Sequence, residues 1–260
     1  MGADDLAVVA AQLAAAGCVA AEEEAAELIE AAAGSAEQLG EMVARRVTGE
    51  PLAWVLGWVG FYGQRVAVAP GIYVPRAQTA VLVAAAVEVL PGTGRAVDLC
   101  TGSGSVAMAL AAARPGAEVV GVDIDPVACA GATANGVAAY CGDLDAALPG
   151  SWRATADVVT AVAPYVPTSA LAYLPRDARD FEPGRALDGG EDGLAVVRRV
   201  VGAAARLLRP GGALVLELGG EQDEALAPDL AGAGFGAAER FVDEDGDLRA
   251  VRSILGGAPS

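Results

Sequence analysis

The segment VDLCTGSGSVA, residues 97–107, places an aspartate directly before a glycine-rich turn that opens a predicted helix. Gly102 and Gly104 permit a tight turn and a close approach of the backbone to a ligand, and Ala107 lets the helix pack on the preceding strand. This spacing fits the relaxed dinucleotide fingerprint, so by itself it does not separate one adenosine-containing cofactor from another. Asp98 favours S-adenosylmethionine, because a carboxylate at this point can meet the cationic amino-acid end of that cofactor. The turn also has no lysine for a nucleoside triphosphate.

Two further aspartates follow the next two predicted strands. Asp123 closes the strand VVGVD, where it is placed to accept hydrogen bonds from ribose hydroxyls in either an NAD or an S-adenosylmethionine site. Asp143, in the segment GDL, is placed to accept from an adenine amino group. Any one of these aspartates could equally be a helix cap or a turn residue. Three at successive strand ends predict an S-adenosylmethionine site; an NAD-dependent oxidoreductase is the alternative, although nothing downstream supplies the usual proton donor.

The stretch ADVVTAVAPYVPT, residues 156–168, reads as a strand that runs into a proline-stiffened loop of the kind found at active sites. At the position where a reacting polar group is expected stands Val162, whose side chain neither donates nor accepts a hydrogen bond. The loop therefore combines the construction of a catalytic site with an apolar residue at its centre.

Histidine and lysine are both absent, and all 17 basic residues are arginine. The chain therefore lacks the commonest general base, the commonest transition-metal ligand and any lysine nucleophile. A Ser-His-Asp hydrolase is excluded, and no metal site is expected. The four cysteines, at positions 18, 100, 129 and 141, form no C-x-x-C pair and are expected to be small buried residues rather than zinc ligands or a disulfide framework.

The 260-residue chain carries a net charge of -17. Because nucleic-acid binding needs basic groups to displace counterions from phosphates, this charge argues against a nucleic-acid partner. The acidic groups fit either a dispersed surface that aids solubility or the attraction of a cationic substrate. No apolar run approaches the roughly 20 residues that cross a bilayer, and the N-terminus lacks the basic start of a secretory signal. We therefore expect a soluble, cytoplasmic protein without a membrane partner.

The predicted elements change character twice along the chain. Residues 1–50 look helical, and the third helical segment opens with a Ser35/Gln38 capping box. Residues 51–80 are rich in aromatic and β-branched residues, Gly and Pro, which indicates a short hairpin that links two domains. Within residues 81–260 predicted strands alternate with helices, and the pattern ends in one helix followed by one strand. This alternation predicts an α/β domain with a doubly wound, mainly parallel sheet, which binds ligands at the carboxyl ends of its strands.

Over nearly its whole length the sequence resembles the HemK-type protein-(glutamine-N5) methyltransferases. The segments that carry the resemblance are RRVTGEPLAWVLGWVGFYG, VPRAQTAVLV, VDLCTGSGSVAMALA, GVDIDPVA, GDLDAALP, APYVP, DFEPGRALDGGEDGL and LRPGGALVLELGGEQ. APYVPT and ALDGGEDGL resemble more closely an actinobacterial HemK-related branch of unknown substrate. The resemblance implies a Rossmann-like class I methyltransferase domain, preceded by a small helical N-terminal domain and a β-hairpin. The cofactor-binding set that it implies for S-adenosylmethionine is Asp98, Thr101, Gly102, Ser103, Gly104, Asp123, Ile124, Asp143 and Leu144.

The acceptor half of the sequence departs from the family. The family signature Asn-Pro-Pro-Tyr is matched here by the catalytic candidates Val162, Ala163, Pro164 and Tyr165. In the family, the Asn side-chain oxygen and the next residue's carbonyl accept both N–H groups of the glutamine amide, so Val162 removes one of the two acceptors. The family also tends to carry acidic residues where PRAQTA has Gln78 and Ala80. The substrate-binding candidates are Arg76, Thr79, Glu182 and Glu217.

Three functions stay open. One is an active N-methyltransferase with a rebuilt acceptor site, which methylates an amide, guanidine or amine nitrogen of a small molecule or of a free amino acid side chain. Another is glutamine methylation of a protein, with a backbone carbonyl and a neighbouring polar group in place of the missing Asn. The third is an S-adenosylmethionine-binding protein that acts through partners without transfer activity. In each case the composition break at GEPLAWVLGWVGFYG predicts that residues 1 to about 75 cover the acceptor side rather than the cofactor.

Overall fold

The computed structural model describes residues 3–256, and its first part is helical. The helices are α1 (Ala3–Ala15), α2 (Ala21–Ala31), α3 (Ala36–Val47) and the short α4 (Leu52–Leu56). Half of the predicted capping box of α3 is confirmed, since the Ser35 side-chain oxygen accepts the Gln38 N–H at 3.2 Å. The Ser35 N–H donates to the Ala32 carbonyl at 2.9 Å instead of to the Gln38 side chain. Apolar side chains of all four helices form a core of their own, with Leu13 and Leu28 fully buried.

A two-stranded antiparallel hairpin follows these helices within the predicted linking segment 51–80, but that segment begins with helix α4, so the helical part extends beyond residue 50. It consists of β1 (Trp58–Phe61) and β2 (Gln64–Ala67). Its two-residue loop is Tyr62 and Gly63, which both have positive φ, as a type I′ hairpin turn requires. Phe61 and Val66 of the hairpin are buried in one cluster with residues of the large sheet, so the hairpin packs directly on the second part of the chain.

The rest of the described chain is a doubly wound α/β unit, which confirms the predicted fold class. Its elements are α5 (Ala80–Val89), β3 (Arg95–Leu99), α6 (Ser105–Ala113), β4 (Glu118–Asp123), α7 (Pro126–Ala134), β5 (Ala138–Cys141), β6 (Ala156–Ala161), α8 (Arg176–Phe181), α9 (Ala195–Leu207), β7 (Leu208–Glu217), α10 (Gln222–Gly232), β8 (Glu239–Val242) and β9 (Leu248–Ile254). The sheet order is β5-β4-β3-β6-β7-β9-β8. The five strands from β5 to β7 in this order run parallel, while β9 is antiparallel to both of its neighbours.

The prediction of one strand after the last helix is wrong. β8 and β9 form an antiparallel pair, joined by an acidic turn that contains Asp245 and Gly246. The run DEDGD reads as a solvated loop, yet Asp-Gly between two β-rich segments is itself a hairpin signal, and Gly246 has a positive φ of 85°.

Both faces of the sheet are covered, which explains why its central strands are almost entirely apolar. On β3, Val97 and Leu99 point into the cluster that contains α9, whereas Ala96 points into the cluster that contains α5 and α6. The parallel strands are thereby held with their carboxyl ends at one edge of the sheet, where the polar residues of the site lie.

Within residues 3–256, no helix is both long and apolar enough to span a membrane. In the same part of the chain no group of three or more His, Cys, Asp or Glu side chains could hold a metal ion. The four cysteines are unpaired, but the expectation that they are buried holds only for Cys129, because Cys141 is exposed and the other two are half-buried.

Candidate active site

The predicted cofactor residues converge on one cavity at the carboxyl edge of the sheet. β3 lies between β4 and β6, and helices leave these strands on opposite faces, so a crevice opens where the chain changes direction. The cavity has a volume of about 250 Å³. Its wall contains all nine of the predicted cofactor residues except Gly104, which supports the turn from behind.

Asp98 is a buried carboxylate at the end of β3, only 1% exposed. Its Oδ2 accepts the Thr101 hydroxyl at 2.6 Å, and its Oδ1 accepts the Thr160 hydroxyl, from the neighbouring strand β6, at 2.8 Å. Burial raises the pKa of Asp98 to about 6, and the two hydroxyls offset part of that effect. A buried carboxylate held in this way is suited to a cationic ligand, which would replace the lost hydration of the charge.

The glycine turn needs its glycines for two different reasons. Gly102 has a φ of 56° and Gly104 a φ of 82°, in the left-handed region that suits glycine. A Cβ on Gly104 would also lie 2.8 Å from Cγ2 of Val137. The start of α6 can therefore pack against the segment between α7 and β5 only if residue 104 has no side chain. Asn135 fixes the turn from the other side, since its Nδ2 donates to the Ser103 carbonyl at 2.9 Å and to the Ala67 carbonyl of β2 at 2.8 Å.

Asp123 closes β4 beside the turn. Its Oδ2 accepts the Gly102 N–H and its Oδ1 the Asp125 N–H, both at 2.9 Å. Burial raises its pKa above the usual value, and these backbone donors counteract the effect. Each carboxylate oxygen keeps a second lone pair for a ligand hydroxyl. Next to it Ile124 is 61% exposed, although it is a large apolar side chain on the cavity wall, where a flat apolar ring would cover it.

Asp143 and Leu144 lie on the far wall of the same cavity, after β5. Both Asp143 oxygens accept from Nη2 of Arg199, at 2.7 and 2.6 Å, and Arg199 itself lines the cavity. The sequence did not indicate Arg199 as a site residue, because it lies 56 positions away on an amphipathic helix. Two carboxylate oxygens still leave lone pairs for an amino group beside the arginine.

The catalytic candidates form a loop directly after β6, between this cavity and a second one. The second cavity has a volume of about 420 Å³ and is called the acceptor cavity below. Val162, Tyr73 and Ala186 line both cavities and are called the shared wall. Pro164 faces only the first cavity, while Ala163 and Tyr165 face only the second. Tyr73 was not among the candidates, because its segment carries no motif beyond its aromatic composition.

The buried carboxylate of Glu217 holds the Tyr165 side chain in place. Its hydroxyl donates to Glu217 Oε1 at 2.9 Å and accepts from Gln78 Nε2 at 3.1 Å, and Gln78 also donates to Glu217 Oε1 at 3.3 Å. The other Glu217 oxygen is buried without a hydrogen-bond partner among the described residues. The amide at position 78 therefore suits the site better than the acidic residue typical of the family, which would face the Glu217 carboxylate.

The other substrate-binding candidates take different positions. Arg76 lines the acceptor cavity, and its Nη2 donates at 2.6 Å to Glu182 Oε1, whose side chain is fully buried. Thr79 is buried on the wall of the first cavity instead. Among the described wall residues of the two cavities, Glu182 and Glu217 do not occur, so both carboxylates act on the site through Arg76 and Tyr165.

The glycine-rich loop 186–194 packs against the loop of the catalytic candidates, residues 162–166, which is called the catalytic loop below. The N–H of Gly189 donates to the Val166 carbonyl at 2.8 Å, and the N–H of Val166 donates to the Leu187 carbonyl at 3.1 Å. A Cβ on Gly189 would lie 2.7 Å from the Pro164 carbonyl oxygen, and one on Gly193 would overlap the Tyr165 carbonyl oxygen. The sequence ALDGGEDGL thus fixes the backbone of the catalytic loop by close approach.

One prediction about the first part of the chain is wrong. Gly71, Tyr73 and Pro75 line the first cavity, so residues before about 75 do not cover the acceptor side alone. Tyr73 follows the hairpin and lines both cavities, so this part of the chain contributes to the cofactor side as well as to the acceptor side.

The strand order, the glycine turn and the carboxylates at successive strand ends define a class I S-adenosylmethionine-dependent methyltransferase, and the protein is an enzyme of this class. The solved structure of the T. thermophilus 16S rRNA N2 G1207 methyltransferase, in complex with AdoMet and guanosine, has the same fold. It superposes with a TM-score of 0.50 at 21% identity, over 78% of this chain and 46% of that chain.

Two curated relatives define the family. The release factor glutamine methyltransferase of Geobacter sulfurreducens is 38% identical over 221 residues, 83% of this chain and 77% of that protein. The 4-amino-L-phenylalanine/4-methylamino-L-phenylalanine methyltransferase of Streptomyces pristinaespiralis is 35% identical over 232 residues, 84% of this chain and 78% of that protein. No protein-family model matches the chain. The chain belongs to the HemK family, which comprises the release factor glutamine methyltransferases and their relatives, and its cofactor is S-adenosylmethionine.

Proposed function

We propose that this enzyme transfers the methyl group of S-adenosylmethionine to a nitrogen of a small molecule, and that this nitrogen is an uncharged aromatic amine. The observation that carries the proposal is the shared wall: Val162, at the position of the family Asn, and Ala186 provide no side-chain acceptor for an amide N–H. The proposed reacting position lies where the two cavities meet at this wall.

The residues of the first cavity fit the cofactor. We assign Asp98 to its ammonium group, the backbone of the glycine turn to its methionine end, Asp123 to the ribose hydroxyls, and Ile124 with Leu144 to the adenine faces. When bound, the cofactor supplies an electrophilic methyl group: its S–C bond breaks as the acceptor lone pair forms the N–C bond, sulfur keeps the bonding pair, and the nitrogen loses a proton to water.

Among the described residues, the shared wall of Tyr73, Val162 and Ala186 has no side chain that accepts a proton at neutral pH. Burial raises the pKa of Tyr73 to about 12, so its phenol stays protonated. Burial also raises the pKa of Tyr165, and the neighbouring Glu217 charge adds to the effect. An alkyl ammonium or a guanidinium has no free lone pair at pH 7 and would need such an acceptor. An aromatic amine is unprotonated at pH 7 and keeps a lone pair that can attack.

Val162 separates an aromatic amine from an amide acceptor. The amide lone pair is delocalised into its carbonyl group, and the family orients it through hydrogen bonds to both N–H groups. Val162 cannot accept one of these bonds, and a buried N–H without a partner costs about 1–3 kcal/mol. A valine instead offers apolar surface to an aromatic ring. The Streptomyces pristinaespiralis relative, named for its action on 4-amino-L-phenylalanine, gives the precedent for such an acceptor on a HemK-related chain.

Glutamine methylation of a protein is the second candidate. It is the activity for which the Geobacter sulfurreducens relative is named. The Ala163 carbonyl also favours it, because this oxygen accepts no hydrogen bond from the part of the chain that the structure describes and remains available to one amide N–H. The prediction of no nucleic-acid partner stays a prediction, based on the net charge of -17.

The test measures S-adenosylhomocysteine release by the wild type and by Val162→Asn, with 4-amino-L-phenylalanine and with a glutamine peptide. For the aromatic amine, the Asn amide would be short of partners in an apolar pocket at a cost of about 1–3 kcal/mol, which lowers turnover by about one to two powers of ten. Val242→Asn, at a 51% exposed valine on β8, is the matched control and leaves turnover unchanged.

A gain by Val162→Asn that is confined to the glutamine peptide would instead identify a weakened glutamine methyltransferase. Tyr165→Ala removes a wall of the acceptor cavity and should damage either reaction. If the wild type releases no S-adenosylhomocysteine with any acceptor, although calorimetry shows that it binds the cofactor, the protein is not a transferase for these substrates.

A further inference from the structure

We propose that the acceptor cavity recognises the head group of a free α-amino acid, with Arg76 for the carboxylate and Asp177 for the ammonium. The inference rests on the proposed function and names the substrate class more closely. Both residues line the acceptor cavity and are absent from the wall of the first cavity, which is assigned to the cofactor. A head group bound there would let the side chain of the amino acid extend toward Val162.

Arg76 is held in place with donors to spare. Its Nη2 donates to the fully buried Glu182 at 2.6 Å, and its guanidinium carbon lies 5.0 Å from the centroid of the Tyr73 ring. A guanidinium has five N–H donors, so this pairing leaves donors for a second carboxylate. Glu182 thus fixes the orientation of Arg76, whose side chain is still 31% exposed at the cavity.

Asp177 supplies the opposite charge on the same wall. It lies in the first turn of α8, where its Oδ1 accepts the Ala178 N–H at 2.9 Å. Its Oδ2 has no hydrogen-bond partner among the described residues, and the side chain is half-buried. Burial raises the pKa of Glu182, and the nearby negative charge of Asp177 adds to this effect.

The charges of these three residues distinguish a zwitterion from simpler ligands. One arginine and two carboxylates leave a net charge of about -1, which a zwitterion does not change. A bare cation would lie beside the positively charged Arg76 guanidinium and would leave its free N–H donors buried without an acceptor. A bare anion would add charge to a site that is already negative. Apolar residues of the same wall, including Leu174, Pro175 and Leu187, leave room for a ring between the head group and Val162.

The test is calorimetry on protein saturated with S-adenosylhomocysteine, titrated with 4-amino-L-phenylalanine and with its decarboxylated and deaminated analogues. We expect the amino acid to bind at least about tenfold more tightly than either analogue, because each analogue loses a charge-assisted hydrogen bond. The deaminated anion should bind most weakly. Asp177→Asn should abolish the preference for the amino acid over the deaminated analogue. Arg76→Lys keeps a cation beside Glu182 but loses the guanidinium donors, so it should abolish the preference over the decarboxylated analogue.

Asp180→Asn is the matched control, since Asp180 belongs to the same helix but pairs with Arg179 on the surface. This variant keeps both preferences. Equal binding of all three compounds, tighter binding of the decarboxylated amine, or no binding of any of them overturns the inference. Turnover measured in parallel keeps the two proposals apart: an absence of S-adenosylhomocysteine release rejects the proposed reaction, while the order of the binding constants alone decides on the head-group site.

Discussion

Replacement of Asp98 by Asn should make the cofactor-free protein more stable above pH 6 and less able to bind its cofactor. Asp98 is 1% exposed, and burial raises its pKa from 3.8 to about 6. A raised pKa means that protonation of the folded state stabilises it, and that this stability is lost as the pH rises through 6. A difference of about two in pKa, at about 1.4 kcal/mol for each, corresponds to about 3 kcal/mol at neutral pH.

The variant removes the titration and keeps the shape. An Asn amide can accept one hydroxyl of the pair Thr101 and Thr160 and donate to the other, because a hydroxyl is both donor and acceptor. We therefore expect the difference in free energy of unfolding between Asp98→Asn and wild type to increase by about 2–3 kcal/mol, in favour of the variant, between pH 4 and pH 8.

Urea unfolding at several pH values measures this difference, and the dependence on pH is independent of any constant offset from the altered hydrogen bonds. Calorimetry should show S-adenosylmethionine bound about 10- to 100-fold more weakly at pH 8, from a charged hydrogen bond worth about 1.5–3 kcal/mol. A difference in unfolding free energy that stays constant between pH 4 and pH 8 would refute the reasoning, because Asp98 would then titrate normally despite its burial.

Two further variants test the cofactor side and the support of the catalytic loop. Asp123→Ala should weaken S-adenosylmethionine binding by about 1.5–3 kcal/mol in calorimetry, since ribose hydroxyls would lose a charged acceptor; unchanged affinity would show that this carboxylate is misassigned. Gly193→Ala should lower the melting temperature and turnover together, because a Cβ would overlap the Tyr165 carbonyl and φ is 76° there. Gly232→Ala, at a helical glycine with no atom near the added Cβ, is its control and should leave both quantities unchanged or slightly raised.

The sequence predicted well what depends on local pattern. Alternating strands and helices, the glycine turn and an aspartate at each of three strand ends are short-range features, and parallel strands bring such ends to one edge of the sheet. The contacts that complete the site are long-range and leave no local signal. Arg199 meets Asp143 across 56 positions, and Gln78 meets Glu217 across 139. Tyr73 follows a hairpin that packs on the sheet, and its own segment does not indicate its place on the shared wall.

On the proposed function, the type of acceptor follows from what the Val162 side chain lacks. Methyl transfer to nitrogen depends mainly on the position of the lone pair, and well-oriented reactants gain roughly 7–11 kcal/mol in favourable cases. An amide must be positioned by acceptors for its N–H groups, which a side-chain oxygen and a backbone carbonyl supply in the family. An aromatic amine can be positioned by its ring and by a distant head group instead. On the proposed function, Val162 cannot accept an amide N–H but offers apolar surface to an aromatic ring. Tyr165, Glu217 and the loop 186–194 keep the backbone of residues 162–165 in place. On this proposal, a single side chain at the reacting position changes the acceptor, while the cofactor half of the site stays that of the family.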